Sequence, residues 1–119
     1  MKGSGGVFAK TKSHKGETLQ HFFTKVMIMK LLLDKNHSAN IEVHVPTGSI
    51  DCYDFTTRYA YEVEPVINQE KLKKKFETYS LSGAREVVMV PYKQLWDILG
   101  IAPENLDKWK KAIDSYLNA

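Results

Sequence analysis

Residues 48–64 have the sequence GSIDCYDFTTRYAYEVE, and this stretch decides the fold. Its first and last parts alternate in side-chain character with the period of two that marks a half-buried strand. The segment Thr56-Thr57-Arg58 between them is a short connection. We predict two antiparallel strands, over residues 49–55 and Tyr59–Glu64, joined by a tight turn. Pro65 ends the second strand because proline has no backbone N–H to donate.

A strand and a helix are predicted before this hairpin. In residues 41–45, Ile and Val alternate with Glu and His, and Pro46-Thr47-Gly48 forms a turn to the next strand. Further upstream, a helix is predicted to begin near Gly16 and to end at the polar residues 34–40. Its apolar stripe is predicted to contain Leu19, Phe22, Phe23, Val26, Met27, Lys30 and Leu33, with Met29 at its flank.

Helices and one more strand are predicted after the hairpin. Residues 68–81 form a lysine-rich helix that buries Leu72, Phe76 and Tyr79, and Gly83 lies at its stop. The apolar run 86–90 predicts a strand buried on both faces at the centre of the sheet.

Two further helices, Tyr92–Leu99 and Pro103–Leu117, complete the chain. A strand, a helix and an apolar strand in succession indicate a parallel crossover. The predicted fold is therefore α/β, with an αβββαβ core, a mixed sheet flanked by helices, and extra C-terminal helices.

Length and charge predict one domain with a basic arm. The chain has 119 residues and a net charge of +3, and four lysines precede its first acidic residue, Glu17. We assign residues 1–15 to a flexible arm and residues 16–119 to a single domain. The arm's lysines fit contact with a polyanion, and a solubilising tail or an expression leftover would have the same composition.

Several classes of protein are excluded at this stage. Cys52 is the only cysteine, so no internal disulfide forms, and a cysteine inside a strand is most often a small buried hydrophobe. The longest apolar stretch, residues 26–33, is interrupted by Lys30 and falls short of the ~20 residues that span a bilayer. Without an apolar leader either, we expect an intracellular, cytoplasmic protein without membrane contact.

Three carboxylates are predicted to meet at the open end of the hairpin. Glu62 and Glu64 lie two residues apart on one strand and therefore share a face, and pairing of the strands brings Asp51 beside Glu62. Such crowding disfavours folding unless a cation joins it, and carboxylate oxygens suit Mg²⁺ or Mn²⁺. The competing interpretation is that these residues are solvated charges at a strand edge.

These residues carry a resemblance to a family. The segments GSIDCYD (48–54) and YEVE (61–64), followed by the helix from Gln69 and the strand 87–91, resemble the core of PD-(D/E)xK nucleases, including restriction-endonuclease-like enzymes and archaeal Holliday junction resolvases. The resemblance implies that Asp51, Glu62 and the Val63 carbonyl hold the metal. It also implies a catalytic role for Glu17, which stands where the leading helix of the family supplies a glutamate.

The chain departs from the family at Glu64, where the family has lysine. Some restriction-type members are similar in carrying glutamate there. Alternatively, the next helix supplies the lysine, with Lys71 and Lys75 nearest in sequence. In a third interpretation the protein is a member that does not cut DNA.

The function that the resemblance implies is hydrolysis of DNA phosphodiester bonds by a Mg²⁺- or Mn²⁺-dependent endonuclease, with junction-resolving and nicking activities included. The alternative is a catalytically inactive DNA-binding or protein-interaction module on the same fold. Because so small a domain offers little surface for a duplex, we expect a homodimer. The residues predicted to contact DNA are Lys12, Lys15, Gln69, Lys71 and Lys75.

Overall fold

The structure is a computed structural model that describes residues 17–100 and 102–118. The elements follow the predicted order: α1 (Leu19–Asp34), β1 (Ala39–Val45), β2 (Gly48–Asp54), β3 (Tyr59–Glu64), α2 (Gln69–Ser80), β4 (Glu86–Pro91), α3 (Tyr92–Leu99) and α4 (Pro103–Leu117). The basic arm and its Lys12 and Lys15 lie outside the described residues. No helix within the described ranges is both long and apolar enough to cross a membrane.

The sheet has four strands in the order β1-β2-β3-β4. The first three form the predicted antiparallel meander, and β3 pairs with β4 in parallel through the α2 crossover. The prediction of a central position for the last strand was wrong, because β4 is an edge strand of the described sheet. Its apolar side chains are covered by a helix on the sheet face, and burial of that kind does not require a neighbouring strand on both sides.

Two hydrophobic clusters pack on opposite faces of the sheet. On one face, Met29 and Leu32 of α1 pack against Ile41 and Cys52. On the other face, Tyr79 of α2 joins a cluster that contains Ile50, Tyr53, Ala60, Ala84 and Val87. The sheet is therefore the middle layer between α1 and α2.

Helix α1 turns a different side to the core than its apolar stripe predicted. The N-cap is Thr18, whose side chain accepts the His21 N–H at 3.1 Å. The buried residues are Thr24, Lys25, Met29 and Leu32, whereas Phe23, Met27 and Leu33 of the predicted stripe are exposed. Residues 26–33 are apolar around most of the helix, so the periodicity alone did not select one face. Similarly, Phe76 of α2 is exposed although it was assigned to the buried face.

The β1–β2 ladder is interrupted at one position. Ile41 pairs with Cys52 and Val43 pairs with Ile50, but the intervening Glu42 has a φ of 51°, in the left-handed region. Alternation would place Ile41 and Val43 on one face. Instead, Ile41 packs on the α1 side and Val43 on the α2 side, so the strand inverts its faces at Glu42.

Asp54 organises the turn between β2 and β3. Its side chain is fully buried, and its Oδ1 accepts the Thr56 and Thr57 N–H groups at 2.9 and 3.3 Å. Its Oδ2 lies 2.7 Å from Nδ1 of His37. Asp54 is therefore a buried residue that holds the turn. Burial alone would raise the pKa of Asp54, and the hydrogen bonds outweigh it and hold the pKa below its usual value.

We expect Asp54→Asn to lower the free energy of unfolding near neutral pH by about 1.5–3 kcal/mol, the contribution of hydrogen bonds to a charged group. Because the pKa of Asp54 is depressed by folding, this stabilisation exists above the reference value of 3.8 and is lost as the pH falls through the folded pKa. Urea unfolding across acidic pH tests this, with Asp97→Asn at an exposed position of α3 as the control. A deficit that persists unchanged in strong acid would contradict the assignment.

Candidate active site

Two side chains replace the backbone ladder where β2 and β3 separate. The backbone pairing of β2 with β3 ends at Cys52 and Tyr61. Beyond it, the Asp51 N–H donates to the Glu62 carboxylate at 2.8 Å, and the Val63 N–H donates to the Asp51 carboxylate at 2.7 Å. Hydrogen bonds to a charged acceptor each contribute about 1.5–3 kcal/mol. These reciprocal bonds bring the two predicted carboxylates together at the open end of the hairpin.

Glu62 is almost fully buried and is contacted from α2. Its Oε1 lies 2.5 Å from Lys75 Nζ and 3.4 Å from the Tyr79 hydroxyl, which also donates to the Ser49 carbonyl at 2.8 Å. Burial, and next the charge of Asp51, raise the pKa of Glu62, while Lys75 opposes the rise. The ionised form of this carboxylate therefore depends on a cation beside it.

His21 approaches the same junction from α1. Its Nε2 lies 2.9 Å from the Val63 carbonyl oxygen and 3.7 Å from Asp51 Oδ2, and its Nδ1 hydrogen-bonds Glu17. Burial would lower the pKa of His21, but the bonds to Asp51 and Glu17 outweigh burial and raise it to about 9. At neutral pH the ring is therefore a cation that contacts Asp51 and the Val63 carbonyl, two members of the predicted metal-ligand set.

The Glu17 side chain is buried at the start of α1. Only 5% of its side chain is exposed, and its Oε2 lies 2.8 Å from Lys25 Nζ. Burial alone would raise the pKa of Glu17, but the hydrogen bonds from Lys25 and His21 outweigh it and lower the pKa. Glu17 therefore carries a fixed negative charge next to the β2–β3 junction.

Glu64 lies at the entrance of this region. A pocket of about 280 Å³ is lined by Glu17, Thr18, His21, Val63, Glu64, Pro65 and Tyr92. Glu64 Oε1 pairs with Lys71 Nζ at 2.8 Å, so both glutamates of β3 bond lysines one turn apart on α2. Glu62 and Glu64 therefore project toward the same helix, in agreement with strand alternation.

The oxygen atoms at this junction are of the kind that a hard cation prefers, although they do not converge on one point. Asp51, Glu62 and the Val63 carbonyl offer oxygen ligands, which Mg²⁺ and Mn²⁺ prefer. Within residues 17–100 and 102–118, however, no three or more Asp, Glu, His or Cys side chains form a group placed to hold a metal. His21 contacts Asp51 and the Val63 carbonyl, and Lys75 contacts Glu62.

The remaining predicted residues fall in two groups. Gln69 and Lys71 are exposed at the start of α2, while Lys75 is partly buried against Glu62. Cys52 is fully buried, and burial, followed by the charges of Asp54 and Asp51, raises the pKa of its thiol to about 12. A thiol with that pKa is not a nucleophile at neutral pH, which agrees with its assignment as a buried hydrophobe.

The sequence did not predict the part that three further side chains play in this region. These are Lys25, Glu42 and the hydroxyl of Tyr79. Lys25 is 1% exposed, and its ammonium group lies between Glu17 and Glu42. A signal for it existed, since Lys25 follows Glu17 by two helical turns. No local signal marks Glu42, because its strand position matched an ordinary outward-facing residue.

Comparison of the chain with protein-family models, with curated proteins and with solved structures found no match.

We expect His21→Gln to lower the free energy of unfolding in slightly acidic buffer and to have little effect in strongly alkaline buffer. The pKa of His21 rises on folding from 6.5 to about 9. Its stabilisation is therefore complete below 6.5 and is lost as the pH rises through about 9. Urea unfolding from about pH 6 to about pH 10 without divalent ions measures this.

His44→Gln, at an exposed position of β1, is the matched control and should show no such trend. A deficit of His21→Gln that is the same at every pH would mean that His21 stabilises the fold through packing alone.

Proposed function

We propose that this chain is a metal-dependent DNA endonuclease of the PD-(D/E)xK type, with a restriction-endonuclease-like core. The observation that carries the proposal is the pair of reciprocal hydrogen bonds that join Asp51 to Glu62 and Val63 at the open end of the β2–β3 hairpin. The αβββαβ order of elements supports it further. A DNA substrate implies that the protein acts inside the cell.

Asp51, Glu62 and the Val63 carbonyl are the residues that would hold a Mg²⁺ or Mn²⁺ ion. Such an ion would supply an activated water and offset negative charge on the scissile phosphate. His21 donates to the Val63 carbonyl and lies near Asp51, so its ring would compete with an ion for these oxygens. Glu17, held on the other nitrogen of the ring, completes the acidic wall of the pocket.

Lys75 is the best candidate for the lysine that the strand lacks. It comes from α2 rather than from β3, yet its ammonium group contacts Glu62 and its side chain is only 23% exposed. In this role it stabilises negative charge that develops on the phosphate. Glu64 then orients the attacking water or accepts its proton, and its partner Lys71 is more exposed and nearer to solvent.

The start of α2 is the proposed DNA contact. Lys71, Lys73 and Lys74 line a surface depression together with Asn68, Glu70 and Glu77. Gln69 lies at the same helix start, and backbone N–H groups at a helix N-terminus favour phosphate. The depression and the pocket share a border at Glu64 and Lys71, which are bonded to each other. Lys12 and Lys15 remain predicted phosphate contacts.

A second candidate function is a DNA-binding module that does not cut. The observation in its favour is that lysines already neutralise the two β3 glutamates, through Lys75 on Glu62 and Lys71 on Glu64. Because these lysines balance the glutamate charges without a metal ion, an inactive protein would keep its fold. The two functions differ in one measurable property, since only the nuclease requires a divalent ion.

The variants Asp51→Asn and Glu62→Gln should cut DNA at least about 100-fold more slowly, because metal binding contributes several kcal/mol to the transition state. Both amides keep an oxygen that accepts the backbone N–H, so the fold should survive. Lys75→Met should lower kcat while leaving the affinity for Mn²⁺ intact or higher, because it removes a competing cation. Plasmid nicking in Mg²⁺ and Mn²⁺, with calorimetry of Mn²⁺ binding, measures these effects.

Glu86→Gln, at an exposed acidic position of β4, is the control and should retain full activity. Glu64→Lys separates the two interpretations of Glu64, since it keeps some activity if this position replaces the family lysine and none if Glu64 binds the metal. Wild-type protein that neither binds Mn²⁺ nor cuts any DNA substrate would reject the nuclease and leave the binding module.

We further propose that the protein is a homodimer that pairs through α4. The apolar side chains of α4 recur every three or four residues, but only Leu106 is buried, and Trp109, Ile113, Tyr116 and Leu117 are all more than half exposed.

Charge favours a second copy as the occupant of the α4 stripe. Lys110 and Asp114 flank it one turn apart, so an antiparallel α4 from a second copy places each lysine opposite an aspartate. Helix α1 contacts α4 and adds the exposed side chains of Phe23, Met27 and Leu31.

Light scattering coupled to gel filtration should find a dimer for the wild-type protein and a monomer for Ile113→Lys. Burial of the new charge in the interface would cost several kcal/mol. Ser115→Lys adds the same charge on the polar side of α4 and should remain dimeric. A wild-type monomer at every concentration, or an Ile113→Lys dimer, would reject α4 as the interface.

A further inference from the structure

A buried lysine lies next to the candidate site, and no step of the proposed reaction uses it. Lys25 of α1 is 1% exposed, and its ammonium group is 2.8 Å from Glu17 Oε2 and in close contact with the Glu42 carboxylate. The two partner side chains are 5% and 8% exposed. Removal of such an ion from water costs several kcal/mol, which only well-placed partners offset.

Glu42 adds a second cost at the same place. Its φ of 51° lies in the left-handed region, where a residue other than glycine is strained by about 1–2 kcal/mol. Glutamate is not among the residues that favour this conformation, unlike asparagine or aspartate. The contact of the Glu42 carboxylate with Lys25 is an interaction that can offset this cost.

The strained residue lies opposite Asp51 in the strand register. The neighbouring pairs are Ile41 with Cys52 and Val43 with Ile50, so Glu42 and Asp51 would be partners if the ladder were continuous. The ladder omits this pair, and the Asp51 N–H donates to Glu62 instead. The inversion at Glu42 thus coincides with the point at which Asp51 leaves β1 and joins Glu62 and Val63.

We propose that Lys25 and Glu42 form the positioning pair of this site: their ion pair holds the strand inversion that directs Asp51 to Glu62 and Val63, and the same ammonium group fixes Glu17. The catalytic meaning of the pair rests on the proposed nuclease function, whereas its structural role does not. Lys25 is a positioning residue and not the missing catalytic lysine, since its ammonium group is buried between two carboxylates and out of reach of a phosphate.

The decisive variant is Glu42→Gly, because glycine adopts the left-handed conformation without strain and the substitution removes the side chain that pairs with Lys25. If Glu42 served stability alone, relief of strain would offset much of the lost ion pair. We expect a folded protein in which hydrogen-exchange protection of the Asp51 and Val63 amides falls, because these amides donate to the positioned carboxylates. Protection of the Tyr61 amide in the neighbouring ladder should stay unchanged.

The functional readouts are Mn²⁺ affinity and the separation of kcat from KM. We expect both Glu42→Gly and Lys25→Met to weaken Mn²⁺ binding and to lower kcat by roughly 10–100-fold, the range for residues that orient metal ligands. The KM for DNA should change little, because neither residue reaches the DNA contact at α2. Lys25→Arg retains the charge and should recover part of the kcat.

Lys30→Met is the matched control, since it removes an exposed lysine of the same helix together with its ion pair to Asp34. It should leave amide protection and kcat unchanged. The positioning pair is rejected if Glu42→Gly is folded and its Asp51 and Val63 amides remain fully protected. If wild-type protein binds no Mn²⁺ while these amides lose protection in Glu42→Gly, the nuclease fails and the positioning pair stands.

Should Lys25→Met fail to fold, Glu42→Gly and Glu42→Gln still decide the matter. Glu42→Gln keeps the size of the side chain and loses its charge, so it should weaken amide protection less than Glu42→Gly does. Equal protection of the Asp51 amide in wild type and in both variants would overturn the proposal.

Discussion

The exchange of hydrogen bonds between Asp51 and the end of β3 is the constraint on which the other features of this protein depend. Two carboxylates accept backbone N–H groups at the point where the β2–β3 ladder stops, so each satisfies a donor that the separating strands would leave unpaired. The cost is two negative charges in one place, one of them almost fully buried. Burial and the charge of Asp51 raise the pKa of Glu62 for this reason.

Cationic side chains from both faces of the sheet offset that cost. Lys75 on α2 contacts Glu62, and His21 on α1 contacts Asp51 through a weaker approach of 3.7 Å. Lys25 likewise offsets the negative charges of Glu17 and Glu42. The helices are therefore fixed to the sheet by charge as well as by their apolar side chains, and the pocket lies where these contacts meet. The same cations occupy the positions that a divalent ion would compete for.

Ion pairs also explain why hydrophobic periodicity predicted the wrong buried face for α1. Helix α1 buries Lys25 and exposes Phe23 and Met27, and the ion pair of Lys25 with Glu42 of β1 joins that side of the helix to the sheet. An apolar residue can be exposed on a helix at modest cost, whereas a buried lysine without its partners would cost several kcal/mol. The more expensive interaction therefore decided which face of the helix points inward. Similarly, β4 is apolar because helices cover it, although it lies at the edge of the sheet.

The sequence by itself determined the element order, the antiparallel pairing of β1, β2 and β3, and the meeting of Asp51 with Glu62. Each depends on local signals, since alternation, Pro46-Thr47-Gly48 and the short 56–58 connection restrict a hairpin to few registers. Only the tertiary structure decided the rotation of α1, the inversion at Glu42 and the bonding of Lys75 to Glu62. These features depend on charges that lie 13 to 17 residues apart in sequence and balance one another only after the layers pack. Sequence periodicity does not indicate this charge balance, because the charged side chains meet only when the helices and strands pack together.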